Sequence, residues 1–249
     1  MKQELGERAV GVFEEQLAQW GVTLGQSEIE ALTRYSQELA TYEKANVVGT
    51  GELERIWLDH VLDSLSCLLY RPLTTLSSLI DVGSGGGMPG IPLHLALDLH
   101  RTCLLESTGK KAEFLRHVSE SLSLEGVEVA NVRAEEFGLR PGRRDSYEAA
   151  TVRAVDSLSV ISEYCLPFLE PGGAMVAMKG PLGAEERTAG ERAAQVLAGE
   201  LEAVIRVPFS ADREHKERHL MIVRKTGPTP ESYPRPTGTP HKRPLYSAG

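Results

Sequence analysis

Four glycines fall within five residues directly after a short apolar segment, residues 79–82, which Asp81 interrupts. Glycine has no Cβ and adopts positive φ readily, so a ligand can contact the main chain of such a turn directly. The pattern over residues 79–90 predicts a strand, a tight turn and a helix. We expect a ligand in the crevice at the carboxyl end of the strand. The turn contains Gly83, Gly85, Gly86 and Gly87.

The spacing of Gly85, Gly87 and Gly90 fits a dinucleotide-binding fingerprint, and Glu106 follows about 20 residues later, where an acid binds ribose hydroxyls. A dinucleotide would place its pyrophosphate at this turn. We expect Asp81 at the mouth of the turn, where its carboxylate would repel that dianion. The same acid would favour a cofactor that has an amino group and a sulfonium but no phosphate. S-adenosylmethionine is such a cofactor.

The elements that must position this turn alternate along the chain. The pattern predicts strands over residues 79–82, 102–106, 127–132, 147–153 and 174–179, with helices over 91–99, 110–124 and 157–168 between them. A short segment at 134–137 follows the third strand, and 170–173 is predicted as a turn. A helix over 185–201 and strands over 203–209 and 219–225 complete the pattern. Such βαβ units predict a parallel, doubly wound α/β sheet.

The first third of the chain has helical periodicity. It predicts helices over residues 3–20, from Ser27 onward with a capping box to Glu30, and over 52–69. Acids on the third helix, including Asp63, are expected on a solvated face. His60 is expected at the surface or with its hydrogen bonds satisfied inside the protein. We predict a helical cap over 1–70, a sheet domain over 71–225 and a proline-rich tail over 226–249 that is extended, disordered or a surface strap.

Composition predicts a soluble, cytoplasmic protein with a sizeable core, because 41% of its 249 residues are hydrophobic and 25% are charged. No apolar segment approaches the ~18 residues of a membrane span. The three cysteines are expected to be buried, reduced thiols. A net charge of −8 argues against indiscriminate coating of nucleic acid, but residues 213–225 hold five bases against two acids.

Further short motifs follow one another in a specific order and spacing. They are Asp59 to Ser64, Asp81 to Pro92, Gly109 to Lys111, Arg133 to Phe137, Val152 to Ala154, Met178 to Gly180 and Arg218 to Leu220. Together they resemble the bacterial 16S ribosomal RNA guanine-N7 methyltransferase family RsmG, also called glucose-inhibited division protein B. The resemblance implies the Rossmann-like class I S-adenosylmethionine-dependent methyltransferase fold with an N-terminal helical extension. It implies methylation of a specific guanine N7 in 16S RNA of the small ribosomal subunit or its precursor.

The resemblance also implies cofactor contacts. Gly83 and Met88 match positions against the methionine and sulfonium portion, and Glu106 matches the acid on the ribose. Ala134 and Glu135 match the pair beside the adenine, and Arg153 matches an arginine at the cofactor edge. The predicted cofactor-binding residues are Asp81, Gly83, Gly85, Met88, Glu106, Ala134, Glu135 and Arg153.

Guanine N7 has a free lone pair, so methyl transfer to it needs alignment rather than a general base. We therefore name no catalytic residue. The seven histidines show no ligand spacing with cysteines, so no metal is predicted. Two alternatives stay open: a nicotinamide-dependent dehydrogenase, and a noncatalytic RNA-binding or ribosome-assembly factor on a methyltransferase fold. The residues predicted to bind RNA phosphates are Lys179, Arg213, Lys216 and Arg218, with Lys242 and Arg243 as further candidates.

Overall fold

The first third of the chain is helical in the computed structural model, which describes residues 4–45, 47–153, 156–209 and 217–247. Helices α1 (Glu7–Gln19) and α2 (Gln26–Thr41) are followed by a longer helical segment of mixed geometry. That segment contains α3 (Leu53–Arg55), a π-helical turn (Ile56–Val61), α4 (Leu62–Leu65) and a 3₁₀ turn (Ser66–Leu69).

Two details of the predicted N-terminal helices are wrong. The capping box is absent because α2 begins one residue earlier: Gly25 is its N-cap, and the Ser27 hydroxyl donates to Glu28 instead of capping the helix. The third helix is interrupted by the π-helical turn, although its apolar periodicity looks continuous. Trp57 in this turn stacks on Phe13 of α1 at 4.1 Å between ring centroids, which fixes the turn in the core.

One mixed sheet of seven strands forms the centre of the molecule, in the order β3-β2-β1-β4-β5-β7-β6. Its strands are β1 (Ser78–Val82), β2 (Arg101–Leu105), β3 (Val127–Ala130), β4 (Tyr147–Arg153), β5 (Leu169–Lys179), β6 (Gly199–Arg206) and β7 (His219–Lys225). The helices between and after them are α5 (Gly90–Ala96), α6 (Gly109–Ser121), α7 (Ala134–Gly138), α8 (Leu158–Cys165), α9 (Ala184–Val196) and α10 (Thr239–Lys242).

Strands β1 to β5 pair in parallel, as the βαβ pattern predicts, but β7 runs antiparallel between β5 and β6. A parallel pairing of β6 with β7 would need a helical crossover, and none lies between them in the described residues. The predicted helix over 185–201 is too long, because residues from Gly199 onward pair with β7. The predicted turn at 170–173 lies inside β5 as an irregularity in its pairing with β4.

Successive residues of the central strands alternate between two hydrophobic cores. Leu79 of β1 faces the core shared with the cap helices, α5 and α6, whereas Ile80 faces the core shared with α7, α8 and α9. The cap helices thus bury their apolar faces in the same core as the sheet. All three cysteines are free and buried, as predicted, and burial raises their thiol pKa values. Among the described residues, no helix has the length and apolar character that crossing a membrane requires.

Residues 226–247, here called the strap, lie against the sheet domain. The Arg144 guanidinium donates to main-chain carbonyls of Thr229, Pro230 and Tyr233. Arg235 forms a bidentate pair with Glu163 of α8, through Nε at 2.8 Å and Nη2 at 2.6 Å, and the Glu163 side chain is fully buried. The sequence leaves three possibilities for the tail: extended, disordered or a strap over the surface. The described part of the tail forms a strap over the surface.

We expect Arg235→Ala to lower the free energy of unfolding by about 3 kcal/mol, because it leaves the buried Glu163 carboxylate without its cationic partner. Urea unfolding followed by circular dichroism measures this loss. The control is Arg187→Ala, which removes an exposed pair with Glu191 on α9 and should cost about 0.5 kcal/mol or less. Equal, small losses in both variants would contradict the role of the Arg235 pair.

Candidate active site

The glycine turn, residues 83–87, lies where the topology of the sheet reverses. The chain passes from β1 to β2 and β3 on one side, and then returns to place β4 and β5 on the other. In open α/β sheets, ligands bind at the carboxyl ends of the strands beside such a switch point. Gly83, Gly85 and Gly87 have φ values of 73°, 57° and 92°, which side chains rarely adopt.

Most main-chain N–H groups of this turn donate within the protein. Those of Gly83 and Ser84 donate to the Leu105 carbonyl at 2.8 and 3.1 Å. The Gly85 N–H donates to Glu106 Oε2 at 2.9 Å, and the N–H groups of Gly87 and Met88 donate to the Ser84 carbonyl. These amides are therefore directed into the protein rather than toward a ligand.

The glycines differ in what surrounds them. A Cβ at Gly90 would lie 2.7 Å from both Asp81 Cβ and Leu104 Cδ2, so close packing against β1 and β2 requires a glycine there. A Cβ at Gly87 would lie 2.4 Å from Ile91 Cδ1. At Gly85 the nearest heavy atom to a Cβ would be the Gly83 carbonyl oxygen at 3.9 Å. The side of the turn at Gly85 is therefore open to a ligand.

Asp81 does not lie at the mouth of the turn, and this expectation is wrong. Its side chain is 1% exposed and points beneath the turn. Oδ2 accepts from the Gly90 N–H at 3.2 Å, and Oδ1 accepts from the Thr151 hydroxyl of β4 at 2.9 Å. Burial raises the pKa of Asp81 to about 6, although these hydrogen bonds act in the opposite direction. Asp81 connects β1, β4 and α5.

Glu106 follows β2 and lies directly beside the glycine turn. Its carboxylate is 6% exposed and accepts from the Gly85 N–H through Oε2 and from the Thr108 N–H at 2.6 Å through Oε1. Each carboxylate oxygen has two lone pairs, so further donors such as ribose hydroxyls can still be accepted. The Asn131 side chain also donates to the Glu106 carbonyl at 2.8 Å, which fixes the residue's main chain.

The cap helices contact the turn from the other side. The Tyr35 hydroxyl of α2 is buried and donates to the Gly86 carbonyl at 2.6 Å, and burial raises its pKa well above the usual value. Met88 is 5% exposed and packs in the core beneath the cap helices. Sequence reasoning missed Tyr35, because at sequence level it is one member of an apolar helical stripe.

Ala134 and Glu135 lie together at the start of α7, next to the carboxyl end of β3. The Glu135 side chain is 3% exposed, and its Oε1 accepts from the Gly238 N–H of the strap at 2.8 Å. This carboxylate is therefore directed to the strap.

A buried carboxylate joins the cap to two strands. Asp63 of α4 lies 3.3 Å from Arg153, at the end of β4, and 3.3 Å from Arg218, immediately before β7. The Asp63 side chain is 7% exposed, so the expected solvated face is wrong for this acid. Arg153 also donates to the His60 carbonyl at 3.4 Å. Burial, assisted by Arg153, lowers the pKa of the His60 ring, which favours neutral imidazole.

The predicted RNA-binding residues have different surroundings. Lys179 donates to the Asp156 carbonyl at 2.8 Å and pairs with Glu186 at 2.9 Å, so it is not a free surface cation. In the sheet register it is aligned with His219 of β7, which is in turn aligned with Arg206 of β6. Arg213 and Lys216 lie outside the described residues. Within the described ranges, no three His, Cys, Asp or Glu residues form a group that could hold a metal ion.

Solved structures that superpose on this chain define its fold. The O-methyltransferase TomG from Streptomyces achromogenes, crystallised with S-adenosylmethionine, superposes with a TM-score of 0.55 at 17% identity, over 90% of this chain and 100% of that chain. The (4+2) cyclase SpnF superposes with a TM-score of 0.51 at 15% identity, over 67% of this chain and 81% of that chain. The fold is that of the class I S-adenosylmethionine-dependent methyltransferases, and the cyclase illustrates that a fold alone does not fix the reaction.

Sequence comparison identifies the family. The profile of the GidB family, described as rRNA small subunit methyltransferase G, matches residues 28–221, and the chain belongs to this family. A protein from Rubrobacter xylanophilus with the name ribosomal RNA small subunit methyltransferase G is 48% identical, over 95% of this chain and 91% of its own length. A protein of the same name from Pelotomaculum thermopropionicum is 42% identical, over 90% of this chain and 94% of its own length. Another from Bacillus cereus is 37% identical, over 94% of this chain and 97% of its own length.

The raised pKa of Asp81 predicts a pH dependence of stability. The unfolded chain releases this proton near pH 4, whereas the folded chain keeps it until about pH 6. The contribution of protonated Asp81 to the free energy of unfolding is therefore present below pH 4 and is lost as the pH rises through about 6. A difference of about two pKa units corresponds to about 3 kcal/mol.

We expect the difference in unfolding free energy between the wild type and Asp81→Asn to change with pH. Between pH 4 and 7 the wild type should lose about 3 kcal/mol relative to the variant. Urea unfolding at a series of pH values measures the difference. Asp98→Asn, at an exposed carboxyl before β2, is the control and should follow the wild type. Parallel curves for the wild type and Asp81→Asn would contradict the raised pKa.

Proposed function

We propose that this protein transfers a methyl group from S-adenosylmethionine to N7 of one guanine in the 16S RNA of the small ribosomal subunit or its precursor. The family and the curated relatives support rRNA as the substrate. The observation that carries the proposal at the level of the site is the direction of the amides in the glycine turn.

A dinucleotide pyrophosphate needs free main-chain N–H donors at such a turn. Here Gly83 and Ser84 donate to Leu105, and Gly85 donates to a carboxylate of the protein itself. A pyrophosphate would also approach Glu106, whose charge would repel it. This arrangement supports a cofactor without phosphate and disfavours a dinucleotide. The amides and Glu106 are sufficient for this conclusion, which does not require Asp81 at the mouth of the turn.

The same surroundings suit the parts of S-adenosylmethionine. The open side of the turn at Gly85 admits close contact with the main chain, and Glu106 retains acceptor capacity for ribose hydroxyls. Negative charge beneath the turn favours an ammonium and a sulfonium. Ala134 and Glu135, at the end of the neighbouring strand β3, are the proposed adenine contacts through their main chain.

S-adenosylmethionine supplies an electrophilic methyl group on its sulfonium. Guanine N7 presents a lone pair without losing a proton, so the residues of this chain need only align the two reactants and exclude water. Arg153 is the proposed cofactor-edge residue, and Asp63 holds it in place. No side chain is assigned the role of general base.

The direct test is methyl transfer from labelled S-adenosylmethionine to small-subunit particles that lack their native 16S RNA modification, followed by mapping of the base. We expect one N7-methylguanosine and no incorporation into particles that already carry the modification. Cofactor binding without transfer to any RNA would favour the noncatalytic alternative. Absence of cofactor binding would overturn the proposal.

The proposed RNA surface extends along the carboxyl edge of the sheet from β4 to β6. Arg218 and Lys179 lie in this region, together with His219 and Arg206. Arg218 is 29% exposed, although it is paired with Asp63. A phosphate near this guanidinium would displace counterions, which makes binding dependent on salt.

We expect Arg218→Ala to reduce the slope of log K for RNA binding against log salt by about one unit. The matched control is Arg224→Ala, at the far end of β7: Arg224 is similarly exposed, at 36%, and also pairs with a carboxylate, Glu202. Filter binding at several salt concentrations measures both slopes. An unchanged slope for Arg218→Ala, or an equal reduction in the control, would contradict this RNA surface.

A further inference from the structure

The strap contacts two elements of the proposed site with residues that lie close together in sequence. The Gly238 N–H donates to Glu135 on α7, and the Thr237 hydroxyl donates to Glu136 at 3.1 Å. Three residues later, His241 Nδ1 is in hydrogen-bond contact with Asp156 Oδ2, in the loop after β4. The Asp156 carbonyl in turn accepts from Lys179 at the end of β5. Residues 237–241 therefore join the segment after β3 to the loop after β4, and Asp156 extends this link to the end of β5.

Burial of Glu135 makes the contact with Gly238 the specific one of the three, since the contacts of Thr237 and His241 are exposed. Glu135 is 3% exposed, so its carboxylate would have no solvent to replace the Gly238 N–H. Arg235 and the fully buried Glu163 fix the strap three residues before Gly238. The position of Glu135, a proposed adenine contact, consequently depends on a segment far away in sequence.

Gly238 adopts a main-chain conformation that favours glycine. Its φ is +78° and ψ is −8°, the left-handed region, and a Cβ there would meet no heavy atom within 4 Å. Substitution by alanine therefore strains the main chain without causing a clash. This position offers a way to disturb the direction of one N–H group while leaving the core packing intact.

We propose that residues 237–241 of the strap are a positioning element of the cofactor site, which holds α7 and the loop after β4 at the adenine end. This inference rests on the proposed function. The strap contributes no group to the reacting atoms. Its role is to keep the main chain of Glu135 in place, so its loss should weaken cofactor binding and leave methyl transfer at saturating cofactor unchanged.

The test measures binding of S-adenosylhomocysteine by isothermal titration calorimetry. We expect Gly238→Ala to raise the Kd about tenfold, as strain of the left-handed conformation is transmitted to the Glu135 contact. The KM for S-adenosylmethionine should rise by a similar factor, with kcat unchanged. Gly238→Asn should restore near-wild-type affinity, because asparagine tolerates the left-handed region far better than alanine.

The matched control is Gly172→Ala in β5, at the opposite edge of the sheet. Gly172 has a φ of +92° and open space around a Cβ, so the substitution introduces comparable strain without touching the strap. It should lower the melting temperature to a similar extent and leave the Kd unchanged. An unchanged Kd in Gly238→Ala, or an equal increase in Gly172→Ala, would overturn the inference. Failure of the wild type to bind S-adenosylhomocysteine would instead overturn the proposed function.

Discussion

The carboxyl edge of the sheet depends on the close approach of Gly90 to β1 and β2. Any side chain at this position would collide with Asp81 and Leu104. The approach brings the Gly90 N–H onto the Asp81 carboxyl and excludes water from it, while Thr151 occupies the other oxygen. The start of α5 is thereby fixed relative to β1 and β4. The glycine turn between them has little freedom, and its amides point inward.

The cap helices complete the site rather than simply extending the core. Their apolar faces supply the burial, and polar contacts also set their position at the site: Tyr35 donates to the Gly86 carbonyl, and Asp63 lies between Arg153 and Arg218. Buried ion pairs contribute little net stability, because desolvation offsets their attraction. The role of Asp63 is therefore to orient side chains, since it holds the guanidinium groups of Arg153 and Arg218 at the same edge of the sheet.

Sequence patterns predicted the fold well, because apolar periodicity and glycine positions are local signals. They identified β1 to β5, the glycine turn and the cap helices, and the motif order identified the family, which comparison confirmed. What the patterns missed depends on contacts between distant residues. The direction of the Asp81 carboxyl follows from Gly90 and Thr151, and the burial of Asp63 follows from two arginines more than 80 residues away. The antiparallel position of β7 between β5 and β6 likewise depends on pairing with a strand about 45 residues away, which the local pattern does not specify.

Two acids of the site lie on one side of the switch point of the sheet, and its bases, several of them paired with carboxylates, lie on the other side. Asp81 and Glu106 lie at the ends of β1 and β2, whereas the bases lie at the ends of β4, β5, β7 and β6, on the other side. Under the proposed function, a cationic cofactor occupies the acidic side and a polyanionic substrate the basic side, so the methyl group crosses the boundary between them. Net charge is then a poor guide to the substrate. Under this proposal, a chain with a net charge of −8 accepts RNA through bases that are concentrated where the phosphates approach.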